Sequence, residues 1–296
     1  MKRIHSTLAM VAVGMLHGLA QASEGGGSNY PAGVENFSVG AVPPPGVYAL
    51  VYGEVFSADK LKDNSGNQVP VPGFSVKADV IAPRFIWSTA YPVLGGNLAF
   101  HTILPLVNLK VSAAGASQSK TGLGDITIGP AIAWHHSPHL HSALGLDFVA
   151  PSGGYDKTDL ANIGHNHWSL QPLYTVSYID PTGFNADFKA TLNLNQRNKA
   201  TDYKSGTEFW LDYAVGWGFG NGWTAGLGGY YTTQLADDRQ AGVVVANNKA
   251  RGLSIGPSIR YDNGKGWFFT AKVQRDLGSR NRTEGSALWL KTTIPF

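Results

Sequence analysis

Between Phe184 and Asn195 the chain reads Phe-Asn-Ala-Asp-Phe-Lys-Ala-Thr-Leu-Asn-Leu-Asn, apolar at even positions and polar at odd ones. A period of two marks an extended strand with one oily and one wet face, and it has no helical component. The same alternation returns in Asp125 to His135, Leu144 to Phe148, Trp168 to Tyr178, Glu208 to Trp217, Trp223 to Leu235, Leu253 to Tyr261, Trp267 to Val273 and Ser286 to Phe296. Weaker versions occupy Gly46 to Phe56, Phe74 to Trp87 and Asn97 to Val111. The segments amount to about twelve, most of about ten residues, the length at which a tilted strand crosses a bilayer.

A soluble barrel would turn the oily faces inward and would need a well-charged exterior. Charged residues make up only 15% of this chain, against roughly 25% in soluble domains, and the wet faces carry mainly Thr, Ser, Asn, Gln and Gly. Such faces suit an aqueous lumen. The connections support the same reading, because long polar ones (Ser57 to Gly73, Ser112 to Gly124, Pro151 to Asn166, Arg197 to Gly206, Asp237 to Gly252, Gly278 to Gly285) interleave with short turns. Aromatic residues gather beside the short turns (Trp87 and Tyr91, Trp134, Tyr178 and Phe184, Trp217 and Trp223, Tyr261 and Trp267), as rings preferring the headgroup level do. The expected fold is all-β: an antiparallel transmembrane β-barrel of the bacterial outer membrane, about 12 strands, with short periplasmic turns, longer extracellular loops and both termini on the periplasmic side.

Lys2 and Arg3, the apolar stretch Leu8 to Leu19 and Ala20-Gln21-Ala22 form a secretory signal pattern. The expected organisation is therefore 1–22 signal peptide, 23–45 a Gly- and Pro-rich segment that hangs in the periplasm or inserts as a plug, and 46–296 barrel. Cysteine is absent and the net charge is +3, which excludes a disulfide scaffold and a nucleic-acid footprint. The expected partners are outer-membrane lipid, a small-molecule solute, and the barrel-assembly machinery, which the last strand ending in Phe296 would engage. Pro130, Pro172 and Pro257 fall in mid-strand and should mark bulges or breaks.

The inward register projects Lys77, Asp79, Asp187, Lys189, Glu208, Asp212, Arg260 and Lys272 toward a lumen of mixed sign, together with His101, Lys110, Asp147, Asp276 and Lys291. Such a lining fits polar permeation or a plug held by salt bridges. Trp210 and Tyr230 are inward candidates for stacking on an aromatic ligand. No H-E-x-x-H and no convincing carboxylate pair appears, and the outward positions hold almost no Ser or His, so no enzymatic activity, no cofactor and no metal centre is expected. Four imidazoles at His135, His136, His139 and His141 read as a solvated turn, with metal capture as the lesser alternative.

The stretches Gly122-Leu123-Gly124-Asp125-Ile126-Thr127-Ile128-Gly129-Pro130, Pro151-Ser152-Gly153-Gly154-Tyr155-Asp156 and Asn162-Ile163-Gly164-His165-Asn166-His167-Trp168 resemble the outer-membrane proteins associated with the meta-cleavage pathway of phenol degradation. So do Gly25 to Gly33, Asn198 to Gly206 and the ending from Asn281, although Ser152 and His165 depart from that family's Thr and Arg. The resemblance implies a channel or transporter for aromatic or other hydrophobic compounds. A non-conducting structural or adhesive barrel is the alternative, and an outer-membrane enzyme a lesser one.

Overall fold

The computed structural model describes residues 24–294. The expected signal peptide and the terminal Phe296 lie outside the described residues. Twelve strands form one barrel wall: β1 Gly46–Leu61, β2 Ser75–Val93, β3 in two parts (Gly96–Ile103 and Leu106–Ala113), β4 in two parts (Ala116–Leu123 and Ile126–His135), β5 Leu140–Ala150, β6 Ser169–Tyr178, β7 Phe184–Asn195, β8 Glu208–Gly218, β9 Trp223–Gln234, β10 Arg251–Asp262, β11 Phe268–Arg280 and β12 Thr283–Ile294. Each strand pairs antiparallel with the next, and β1 pairs with both β2 and β12, which closes the cylinder. Closure matters because hydrocarbon supplies no partner for an open strand edge.

Two expected loops are strands instead. Ser112 to Gly124 folds into a hairpin whose two turn residues, Ala114 and Gly115, both have positive φ (49° and 82°), the primed geometry that matches strand twist. Gly278 to Gly285 is also mostly strand, with a tight turn at Asn281 and Arg282 in which Asn281 has positive φ (49°). Long outer connections remain at 62–74, 151–168, 196–207 and 235–250. The three prolines break the ladder on one side only. Pro130 still faces Phe100, Pro172 faces Leu146 and Pro257 faces Leu227, with no change of register at any of them.

The outward face is apolar and exposed, as at Ile81, Phe188, Leu227 and Val273. Beside the periplasmic turns Trp87 stacks on Phe100 with centroids 5.7 Å apart, and Trp223 meets Tyr261 at 5.0 Å. Leu227 lies four residues above that girdle, about 10 Å up a strand tilted by 35–45°, close to the membrane midplane. Leu227→Arg should therefore cost about 2–4 kcal/mol in denaturant unfolding from liposomes, and Leu235→Arg at the outer rim about 0–1 kcal/mol.

Lys77, Asp79 and Lys110 do not line the pore. Asp79 faces Val55, Lys77 faces Ser57 and Lys110 faces Lys77 across the ladder, so all three share the outward face of Ile81 and Trp87 and are exposed. Ten residues separate Trp87 from Lys77, roughly 25 Å of height and the full apolar band of such barrels. The charges thus stand at the outer headgroup level, where an outward polar residue costs little, and the alternation alone does not reveal that height.

Candidate functional site in the barrel lumen

The segment from Glu24 to Pro45 holds only one charged residue after its first position, Glu35, and four prolines and several glycines deny it a ladder. Its polar groups find partners on the inward faces of the strands. Near the outer end Asn198 donates to Glu24 (2.8 Å) and Ser28 donates to Glu208 (2.7 Å). Midway Tyr30 donates to Asp212 (2.8 Å), and Gln274 donates to the Ala32 carbonyl (3.0 Å). Lower down the Val39 amide donates to Asp187 (3.1 Å) and the Gly40 amide to Ser177 (2.7 Å). The segment thus runs through the lumen from the outer loops to the periplasmic start of β1. This corrects the expectation for the amino-terminal side: β1 begins at the periplasmic end, but Glu24 sits among outer-loop residues.

Glycine opens the space for this path. Gly33 has φ +75°, and a Cβ there would stand 2.3 Å from Gln274 Oε1; a Cβ on Gly216 of β8 would stand 2.8 Å from the Phe37 ring. Phe37 is consequently almost wholly buried, and the β8 wall approaches the segment more closely than any larger residue would allow.

Glu35 is the centre of the charge network. Its carboxylate accepts from Lys291 Nζ (3.1 Å) and lies 3.7 Å from Arg84 and 3.9 Å from Lys189, while Lys272 donates to its carbonyl (2.6 Å). Burial alone would raise its pKa; Lys291, Lys189 and Arg84 outweigh that and hold it at about 2. The Glu35 amide also donates to Asp212 (3.0 Å). Four cations therefore converge on a single residue of the segment, and its ionised carboxylate, together with the wall acids Asp147, Asp187 and Asp212, keeps the group neutral enough to bury.

Above it lies an aromatic column. Tyr30 stacks on Trp210 at 5.2 Å with planes 28° apart, Trp210 meets Tyr230 at 5.5 Å, and the Arg282 guanidinium lies 5.3 Å and 5.2 Å from the Trp210 and Tyr230 rings. Lys189 sits 5.2 Å over the Tyr30 ring. Burial, then the charges of Asp212 and Glu35, hold the Tyr30 phenol far above its ordinary pKa, so it stays a donor.

Of the residues expected inward, Asp187, Lys189, Glu208, Trp210, Asp212, Tyr230, Arg260 and Lys272 do face the interior. Asp187, Lys189, Glu208, Trp210, Asp212 and Lys272 touch the segment directly. Tyr230 donates to Asp276 (2.5 Å), and Arg260 pairs with Asp262 near the periplasmic rim. His101 pairs with Asp147 at 2.8 Å. The polar lining is thus committed to the segment and to itself rather than open to water. Trp210 and Tyr230 are buried between Tyr30 and Arg282, so their faces are already covered.

Sequence reasoning missed Glu35, Tyr30, Arg84 and Arg282. For Arg84 a signal existed, since even positions of β2 face inward; for Glu35 the signal was a lone charge in a neutral segment. The histidine turn does not converge: His135 and His141 approach to 2.7 Å, whereas His136 turns to Ser142 and His139 to the Ile179 carbonyl.

The opposite wall is apolar. Leu50, Ala82 and Ile86 form a buried cluster with Tyr52, packed by Val34, Val80 and Ile103. The inward register continues it to the outer rim through Ala78 and Val76 of β2, paired to Leu109 and Val111 of β3, and Phe56 of β1, interrupted by Glu54 and, between Ala82 and Ile86, by Arg84.

The sequence family described as "Putative MetA-pathway of phenol degradation" matches residues 58–292. Comparison with curated protein sequences finds no match. Among solved structures, the COG4313 outer membrane channel from Pseudomonas putida F1 superposes with a TM-score of 0.78 at 16% identity, covering 89% of this chain and 100% of that one. The translocator domain of the autotransporter NalP from Neisseria meningitidis gives 0.47 at 10% identity, covering 87% of this chain and 91% of that one. The CymD monoaromatic hydrocarbon channel gives 0.44 at 11% identity, covering 95% and 98%.

Proposed function

This chain belongs to the phenol-degradation family just described, and from that premise we propose that it is an outer-membrane channel for small aromatic or other hydrophobic compounds, closed by its own segment 24–45. The observation that carries the reading is the division of the lumen into two unlike walls. One wall is polar and satisfied by the segment. The other is a mainly apolar stripe from the outer rim to Ala82, broken by Glu54 and ending at Arg84, which would lower the cost of dehydrated apolar solutes on the path and offers little to sugars. Passive conduction fits this geometry better than catalysis, because the buried acids and bases hold the segment in place rather than converge on a reacting atom.

The test is uptake of labelled toluene and phenol by outer-membrane-intact cells with and without the protein. Uptake should rise severalfold for the aromatics and stay unchanged for a disaccharide of similar length. Equal aromatic uptake in both strains would favour the structural barrel instead.

A further inference from the structure

We propose that Tyr30 is a built-in occupant of a phenol-binding subsite, and that a solute bearing a hydroxylated aromatic ring competes with it for Trp210 and Asp212. The proposal rests on the channel reading and adds the ligand's chemistry and its coupling to opening. The side chain of Tyr30 is itself a para-alkylated phenol, and everything around it recognises one. Trp210 supplies a stacking face at 5.2 Å, Asp212 accepts the hydroxyl at 2.8 Å, and Lys189 stands over the ring at 5.2 Å. The flat ring, the edge donor and the electron-rich face are each matched by a separate group.

A second observation points to a ligand rather than to simple filling. Trp210 Nε1 and Asp212 Oδ1 are both buried and have no hydrogen-bond partner among the described residues. An unmatched donor and an unmatched acceptor beside one ring are unusual in an interior. Tyr30 uses only part of the polar capacity of its own site, and a free phenol, unconstrained by a backbone, can approach both groups. Since Tyr30 lies on the segment that fills the lumen, a solute that takes its place removes one of the segment's anchors. Binding and opening then share a free energy, as linkage requires.

The experiment uses the mature barrel in detergent and 4-methylphenol, which reproduces the tyrosine side chain, with toluene as the ring without a hydroxyl. Tyr30→Gly should bind one 4-methylphenol per barrel by calorimetry, at least tenfold tighter than toluene, the discrimination expected of a hydrogen bond to a charged acceptor. Adding Asp212→Ala should bring the two ligands within about threefold. The unsubstituted protein, whose site is filled, should bind 4-methylphenol at least tenfold more weakly than Tyr30→Gly. Equal affinity for both ligands in Tyr30→Gly overturns the proposal, because a bare apolar hole has no use for the hydroxyl. So does equal binding by Tyr30→Gly and the unsubstituted protein. A second readout needs no loss of Tyr30: in planar bilayers 4-methylphenol should raise the open fraction of the unsubstituted channel more than toluene does, and Trp210→Leu should abolish the difference. No such difference counts against the subsite. Selective binding without any aromatic uptake by cells would instead defeat the channel reading and leave the subsite standing.

Discussion

Glu35→Gln should open the channel at neutral pH. The substitution keeps the length and the backbone contacts of Glu35 but removes the only anion on the segment that faces Lys291, Arg84 and Lys189. Those cations then keep only the wall acids Asp147, Asp187 and Asp212 as counter-charges in a poorly hydrated interior, and breaking a buried pair on one side costs about 3–5 kcal/mol. Water entering as the segment lifts would rehydrate them, so the cheapest relief is departure of the segment rather than unfolding of the wall. A loss of about 3 kcal/mol shifts the seated-to-unseated ratio more than a hundredfold, which single-channel recording reads directly as open fraction. Unchanged conductance in Glu35→Gln would mean that the backbone contacts at Asp212, Asp187 and Ser177 hold the segment by themselves.

The same residue sets the acid response. Its pKa in the closed state is about 2, below that of an exposed glutamate, about 4.3. A depressed carboxylate contributes its stabilisation fully above the free value and loses it as pH falls toward the bound one. The closed state should therefore hold from pH 8 to about 5, and the open fraction should climb between roughly pH 4 and 2. In Glu35→Gln that climb should vanish. A response centred near pH 6 would assign the switch to a histidine or another carboxylate.

The barrel was legible in the sequence because lipid on one side and water on the other impose a sign on every second residue, as in Phe184 to Asn195. Height was less legible. Lys77 and Asp79 obey the alternation, yet their outward positions are polar because they stand above the apolar band, and no local pattern distinguishes that from a lumen. The hairpin tips at Ala114-Gly115 and Asn281-Arg282 were hidden because polar strands outside the membrane look like loops. Least legible was the site itself. Glu35 and Tyr30 lie in a segment without periodicity, and their roles exist only where side chains of β1, β2, β7, β8, β11 and β12 converge on them. The inward cations could be found one at a time, but the acid that gathers them could not.

Deletion of residues 24–41, leaving the Pro43 to Pro45 lead into β1, should give the largest functional change of all. The segment's backbone and side chains fill the polar half of the lumen from the outer loops to Ser177, so their removal exposes a wet wall bearing Asp187, Lys189, Glu208, Asp212, Lys272 and Lys291. Those groups lose their partners but regain water, so the penalty is far below that of orphaned charges in a dry core. Among the described residues, the ladders themselves involve none before Gly46. The truncated barrel should thus keep its folded, heat-modifiable mobility on detergent gels while its conductance rises severalfold and its acid response disappears. A synthetic peptide of residues 24–41 should restore part of the block, though only at high concentration, because the tether that held the segment at an effective millimolar level is gone. Unchanged conductance after deletion would move the barrier to the outer loops, where Lys120 pairs with Asp159 at 2.5 Å and Ile163 packs against Gly122.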